Sequence, residues 1–155
     1  MKNSEKVIMT KKELEQWLSE PVAKPFDLSV FQSIVNGVFQ AEGHWGGYFT
    51  SLTTVHFRPL WFISQMASSE SVLFFGQLKA VLGPGFTYYL SLNSSGQWHI
   101  RLQCRNWPHI LNICIPYLNQ LYGPKFIGMQ HIIAISILAE INTVIAKIEI
   151  IVRAY

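Results

Sequence analysis

The sequence predicts an α+β domain: one antiparallel four-stranded sheet with helices on one face, in the order helix, hairpin, helix, hairpin, helix, helix. Three observations carry this. Two stretches rich in aromatic and β-branched residues, 44–65 and 86–104, each divide at a turn and read as hairpins. Segments with apolar residues at helical spacing precede, separate and follow them. The chain has 155 residues, half of them apolar and 14% charged, which is enough for one core and too apolar for disorder.

The elements follow in order. After a polar lead broken at Pro21 and Pro25, Asp27 stands as the N-cap of a helix over 28–42, where Leu28, Phe31, Ile34, Val35 and Val38 recur at helical spacing. Gly43, Gly46 and Gly47 end it. The segments HWGGYFTSL and HFRPLWFISQ then form a first hairpin with its turn near Thr53 to Val55. In SSESVLFFGQLKAVLG, Ser68 or Ser69 caps a second helix, Val72, Phe75, Leu78 and Leu82 share a face, and Gly83-Pro84-Gly85 stops it. FTYYLSLN and GQWHIRLQC form a second hairpin around Asn93 to Gly96. A third helix is expected from Trp107-Pro108 to about Tyr122, and from Phe126 onward the chain is again helical by period. Residues 1–27 read as an N-terminal extension, in which Trp17-Leu18 suggests a short helix, and 28–155 as a single domain. Ile145, Ile148, Ile151 and Val152 near the C-terminus are expected to pack on the helical layer.

Charge is unevenly spread. Residues 1–42 carry five basic and six acidic side chains, while 43–155 carry seven basic and three acidic ones. The downstream part therefore leans toward a polyanionic partner. Mean hydropathy is +0.23, yet Glu140, Asn142, Lys147 and Glu149 interrupt the most apolar stretches, so no window supplies the ~18 apolar residues of a membrane span. Cys104 and Cys114 lack metal-site spacing and read as reduced, partly buried thiols. The N-terminus has the character of neither a secretory signal nor a transit peptide.

Strand alternation separates two faces. Phe57, Pro59, Trp61 and Ile63 fall on one side of the second strand, and His56, Arg58, Leu60, Phe62 and Ser64 on the other. In the fourth strand, Trp98, Ile100 and Leu102 oppose His99, Arg101 and Gln103. One face thus carries histidine, arginine and glutamine, as an ordinary solvated surface or as a recognition surface. Within the first helix, Ser33, Gly37 and Ala41 are spaced by four, a stripe narrow enough for a second helix to cross closely. Glu42 follows at the junction of helix and strand, as a surface carboxylate or a metal ligand.

The segment Val35-Asn36-Gly37-Val38-Phe39-Gln40-Ala41-Glu42-Gly43 resembles the signature of the LAGLIDADG homing endonucleases. Gly37, Ala41 and Gly43 match outright; Val35, Val38 and Phe39 are apolar replacements; Glu42 stands for the final acid; Asn36 and Gln40 depart from the pattern. Phe57-Arg58-Pro59-Leu60-Trp61-Phe62-Ile63-Ser64-Gln65 resembles the family's second strand, F-x-P-x-F-x-I-x-Q, and Leu121-Tyr122-Gly123-Pro124-Lys125 its later L-x-G-x-K segment. The three signals come in the family's order, over roughly residues 28–140.

The resemblance implies a saddle-like sheet and site-specific, Mg²⁺-dependent cleavage of double-stranded DNA. It implies a homodimer joined through the helix carrying Ser33, Gly37, Val38 and Ala41, and the sequence agrees in offering one Asp, Asp27, and no second carboxylate patterned near Glu42. By the resemblance, Glu42 and the carbonyl of Ala41 hold Mg²⁺, Lys125 lies near the scissile phosphate, and Gln65 borders the water network. DNA contacts are then expected from His44, Gly46, Tyr48 and Thr50 of the first strand and His56, Arg58 and Ser64 of the second. Thr87, Tyr89 and Ser91 are expected from the third, in one of two registers, and His99, Arg101 and Gln103 from the fourth. Leu60 and Phe62 are unusual on such a face. An intron RNA-binding maturase, or a relative that has lost catalysis, is the alternative that the resemblance allows. The family and the N-terminus point to a chloroplast or mitochondrion, and the 17 isoleucines fit an AT-rich organellar gene.

Overall fold

A computed structural model describes residues 9–49 and 57–154. The order is α1 (Lys11–Ser19), α2 (Leu28–Glu42), β1 (Gly43–Phe49), β2 (Phe57–Met66), α3 (Ser69–Leu82), β3 (Thr87–Leu92) and β4 (Trp98–Cys104). There follow α4 (Trp107–His109), a π-helical turn (Ile110–Cys114), α5 (Ile115–Tyr117) and α6 (Gly123–Arg153). The strands form one antiparallel sheet ordered β1-β2-β4-β3, as the two hairpins require when their second strands meet at the centre.

Local chemistry sets the helix starts. The Asp27 carboxylate accepts the Val30 N–H at 3.0 Å, and Ser68 accepts that of Ser71 at 3.0 Å while Ser71 Oγ accepts the Ser68 N–H. Gly83, at φ 83°, then closes α3 in a conformation that favours glycine. In the second turn, Asn93 Oδ1 accepts the Ser95 and Gln97 N–H groups and so fixes the β3–β4 loop.

The core lies between the sheet and the helices. Trp61, Ile63, Ile100 and Leu102 point into it from β2 and β4, against Phe31, Val35 and Phe39 of α2 and Val72, Phe75, Leu78 and Leu82 of α3. Phe39 stacks on Trp61 with ring centroids 5.7 Å apart and meets the edge of Trp45 at 5.0 Å. Such ring pairs stabilise by roughly 0.5–1.5 kcal/mol beyond their burial. The helix α1 belongs to the same body, since Leu14 is buried in this core and Trp98 Nε1 donates to the Met9 carbonyl.

Two expectations need correction. The third helical stretch ends at Tyr117, not near Tyr122: Pro116 supplies no amide, a π-turn precedes it, and Leu118 leaves the helix at ψ 61°. Residues 118–122 instead run across α2, where buried Asn36 accepts the Gln120 N–H and donates to the Tyr117 carbonyl. Removing that amide would strand the Gln120 N–H, at about 1–3 kcal/mol, while the Tyr117 carbonyl would keep the bond it accepts from Gln32 Nε2. Second, the C-terminal residues do not pack on the helical layer. The helix α6 runs past the domain, and Ile145, Ile148, Ile151 and Val152 are each about half exposed or more. Among the described residues, no helix is long and apolar enough to cross a membrane.

Candidate active site and nucleic-acid interface

The helix α2 passes into β1 without a loop. Its last residue is Glu42, and the capping residue Gly43 donates its N–H to the Phe39 carbonyl. A side chain at 43 would collide with the Phe39 ring, so glycine is what lets the helix turn directly into the strand. Glu42 is left exposed at the negative end of the helix, beside the terminal carbonyls that favour a cation.

Lys125 reaches the same point from 82 residues away in sequence, its ammonium donating to the Gly43 carbonyl and lying 6.0 Å from the Phe39 ring centroid. Its placement follows from the start of α6. Gly123 takes φ 56°, Pro124 opens the helix, and Gly128 packs against Trp45 so closely that a Cβ there would lie 3.2 Å from the indole. Gln65 stands at the same end of the sheet. Ile63 pairs with Gly43, so Gln65, two residues on in the antiparallel strand, is level with the last turn of α2. It shares the covered face with Trp61 and Ile63 and is half-buried.

The open face follows the alternation expected of it. His44 pairs with Phe62, Gly46 with Leu60 and Tyr48 with Arg58; Ser64 pairs with Arg101, and Gln103 with Phe62. Thr87 pairs with Gln103, Tyr89 with Arg101 and Ser91 with His99, which fixes the register of the third strand. Thr50, His56 and the turn at Thr53 to Val55 lie outside the described residues. No carboxylate falls at a described open-face position, so this surface is cationic around Arg58 and Arg101. His99 is tied to the neighbouring turn through Asn93, at 3.3 Å.

Phe62 explains itself in this setting. It is flanked by His44 from β1, ring centroids 4.8 Å apart, and by Arg101 from β4, whose guanidinium carbon lies 4.0 Å from its ring centroid and 5.4 Å from that of Tyr89. One residue from each strand thus builds a continuous stack across the face. Gly46 contributes space and no side chain: a Cβ there would collide with the His44 imidazole. Burial, then the charges of Lys125 and Arg101, push the His44 pKa below its ordinary 6.5, so the ring is neutral at neutral pH.

On α2, Ser33, Gly37 and Ala41 are exposed and Val38 is half-buried. A Cβ on Gly37 would meet nothing, and Val30 and Ile34 beside the stripe are each about half exposed, so the stripe is an open apolar surface. Sequence reasoning missed further cations. A cleft of about 900 Å³ opens between α6 and the start of β2, lined by Arg58, Arg105 and Lys147 together with Trp107 and Glu140. Arg105 and Lys147 gave no signal in a linear reading because a fold contact between α6 and β2 creates the cleft.

Glu42 and the Ala41 carbonyl are hard oxygen donors suited to Mg²⁺. Among the described residues no three His, Cys, Asp or Glu side chains converge. The thiols Cys104 and Cys114 are buried beneath the sheet and take no part in this site.

No protein-family model matches the chain, and no curated protein matches it in sequence. Solved structures do match in fold. The meganuclease I-SmaMI bound to uncleavable DNA aligns over 87% of this chain and 46% of its own, at 15% identity and a TM-score of 0.58. The homing endonuclease I-TnaI aligns over 70% of this chain and 73% of its own, at 17% identity and a TM-score of 0.54. The group I intron-encoded homing endonuclease I-CeuI complexed with DNA aligns over 83% of this chain and 65% of its own, at 14% identity and a TM-score of 0.55. I-SmaMI is described as a LAGLIDADG homing endonuclease, and this chain spans just under half of its length.

Proposed function

From the fold it shares with the LAGLIDADG homing endonucleases, we propose that this chain is a site-specific DNA endonuclease. It acts as a homodimer and hydrolyses one phosphodiester on each strand of a duplex with Mg²⁺. The observation that carries the reading is the meeting of Lys125 with the Gly43 carbonyl, beside Glu42, at one end of an open cationic sheet. Two sequence signals far apart in the chain thereby share one site.

Two copies would cross along Ser33, Gly37, Val38 and Ala41, where glycine allows backbones to approach closely. This brings the two Glu42 carboxylates together and completes the pair that one copy lacks. Glu42 and the Ala41 carbonyl would hold Mg²⁺, which supplies Lewis-acid activation of water and neutralises charge on the phosphate. Lys125 stabilises negative charge developing on the phosphoryl oxygens. Gln65 orients water at the sheet end. His44, Tyr48, Arg58, Ser64, Thr87, Tyr89, Ser91, His99, Arg101 and Gln103 face the major groove, together with Thr50 and His56, while Gly46 makes room for His44.

The test is cleavage of a randomised duplex library with Mg²⁺, wild type beside Glu42→Gln. Sequence-confined double-strand breaks that vanish in the variant support the reading. No cleavage by either protein, with tight binding of a structured intron RNA, would replace it with the maturase reading.

A further inference from the structure

The two positions at which the α2 segment departs from the LAGLIDADG pattern, Asn36 and Gln40, are not idle. With Gln32 they are spaced by four and so form one amide stripe on the face of α2 that meets residues 117–122. Every amide in it grips backbone. Gln32 Nε2 donates to the Tyr117 carbonyl at 2.9 Å, and Asn36 Nδ2 donates to the same carbonyl at 3.1 Å. Asn36 Oδ1 accepts the Gln120 N–H at 2.9 Å. Gln40 closes a two-point pair with one residue, donating to the Tyr122 carbonyl at 3.0 Å and accepting the Tyr122 N–H at 3.1 Å. The gripped segment runs directly into Gly123, Pro124 and Lys125.

We propose that Asn36 and Gln40 are positioning residues: their hydrogen bonds to residues 117–122 anchor the origin of α6 to α2 and thereby hold Lys125 against the Gly43 carbonyl, beside Glu42. The proposal rests on the endonuclease reading only for what Lys125 does there. The geometric argument is independent of it. Lys125 lies three residues beyond Tyr122, and the helix that ends in Glu42 is the helix that grips Tyr122. Tyr122 offers α6 no side-chain cap, and Gln40 ties both of its backbone groups to α2. An amide suits the task better than a carboxylate, because Tyr122 presents both a donor and an acceptor and a carboxylate can answer only the donor.

The experiment uses the full chain with Gln40→Leu and Gln40→Glu, since Gln40 sits at the rim of the core and buried Asn36 is more exposed to misfolding on replacement. Without DNA or metal, amide exchange is measured at Tyr122 and the side-chain ammonium and Cε resonances of Lys125 are followed. Expected is faster exchange at Tyr122 and shifted, sharpened Lys125 resonances in Gln40→Leu, with smaller changes in Gln40→Glu, which keeps the acceptor for the Tyr122 N–H. Unchanged Lys125 resonances in the folded Gln40→Leu protein would overturn the proposal, whether or not the chain cuts DNA. With a cleavable duplex, Gln40→Leu should lower the single-turnover rate by about ten- to a hundredfold at unchanged affinity, the loss expected of a misplaced catalytic group. In a Lys125→Met background it should lower the rate no further. Additive losses would assign Gln40 a merely structural role and sink the proposal. Absence of cleavage by the wild type counts against the endonuclease reading and leaves the resonance test standing.

Discussion

The guanidinium of Arg101 lies over the ring of Phe62, its central carbon 4.0 Å from the ring centroid. Tyr89 approaches the same guanidinium at 5.4 Å. The Arg101 guanidinium is therefore held by its neighbours before any partner arrives. Arg101→Ala should cost about 1–3 kcal/mol of discrimination at one base pair of each half-site. Phe62→Leu should weaken binding about two- to fivefold, from a loss of roughly 0.5–1 kcal/mol of cation–π contact. Binding to a panel of duplexes, each changed at one base pair, checks both. Equal losses at all positions would assign Arg101 to the phosphate backbone.

Gly37 faces open space in the single chain. Gly37→Leu should leave the monomer folded, with a stability equal to or above the wild type because a helix-favouring residue replaces glycine. It should nevertheless abolish dimerisation by forcing the crossing helices apart. Sedimentation velocity beside thermal melting separates the two effects, and a dimeric variant would exclude this face as the interface.

Removing the carboxylate and removing the ammonium should have different signatures. Glu42→Gln is expected to abolish cleavage while retaining affinity for the target. Lys125→Met should lower the rate about a hundredfold or more, as loss of one preorganised stabilising group does, with Mg²⁺ affinity unchanged. Titration of Mg²⁺ by calorimetry with bound DNA distinguishes them, since only the first variant should lose metal.

His44 reports on the same corner of the molecule. Burial is the largest cause of its lowered pKa, followed by Lys125 and then Arg101. In metal-free protein its NMR titration midpoint should lie below 6.5. Lys125→Met should raise it without restoring the ordinary value, because burial persists. The sign for stability follows. The unfolded chain takes up this proton at higher pH than the folded one, so this group makes the fold progressively less stable as pH falls from 6.5 through the folded-state value. His44→Gln should reduce that slope, measured by denaturation at pH 7 and pH 5. A midpoint that does not rise in Lys125→Met would contradict the placement of Lys125 beside His44.

Much of this was legible in the chain because local chemistry wrote it. Asp27 and Ser68 mark helix starts through side chains that accept the orphan amides, and Gly83 marks an end through its left-handed backbone. Period-two alternation alone sorted Trp61, Ile63, Ile100 and Leu102 from Arg58, Arg101 and Gln103, since a strand cannot present neighbours to one face. What stayed hidden depends on residues far apart in sequence. The helix ending at Tyr117 read as five residues longer, because Leu118 and Leu121 keep an apolar period while α2 amides bind the Tyr117 carbonyl and the Gln120 N–H beside them. Phe62 read as an anomaly until His44 and Arg101 closed around it from neighbouring strands. The sequence by itself determined the elements, their order and the two faces of the sheet, because those follow from hydrogen-bond and packing rules within a few residues. Only the tertiary structure decided that Lys125 meets Gly43, that Asn36 and Gln40 grip the segment before it, and that the end of α6 stays uncovered. Those are choices of packing between distant segments, and no local period encodes them.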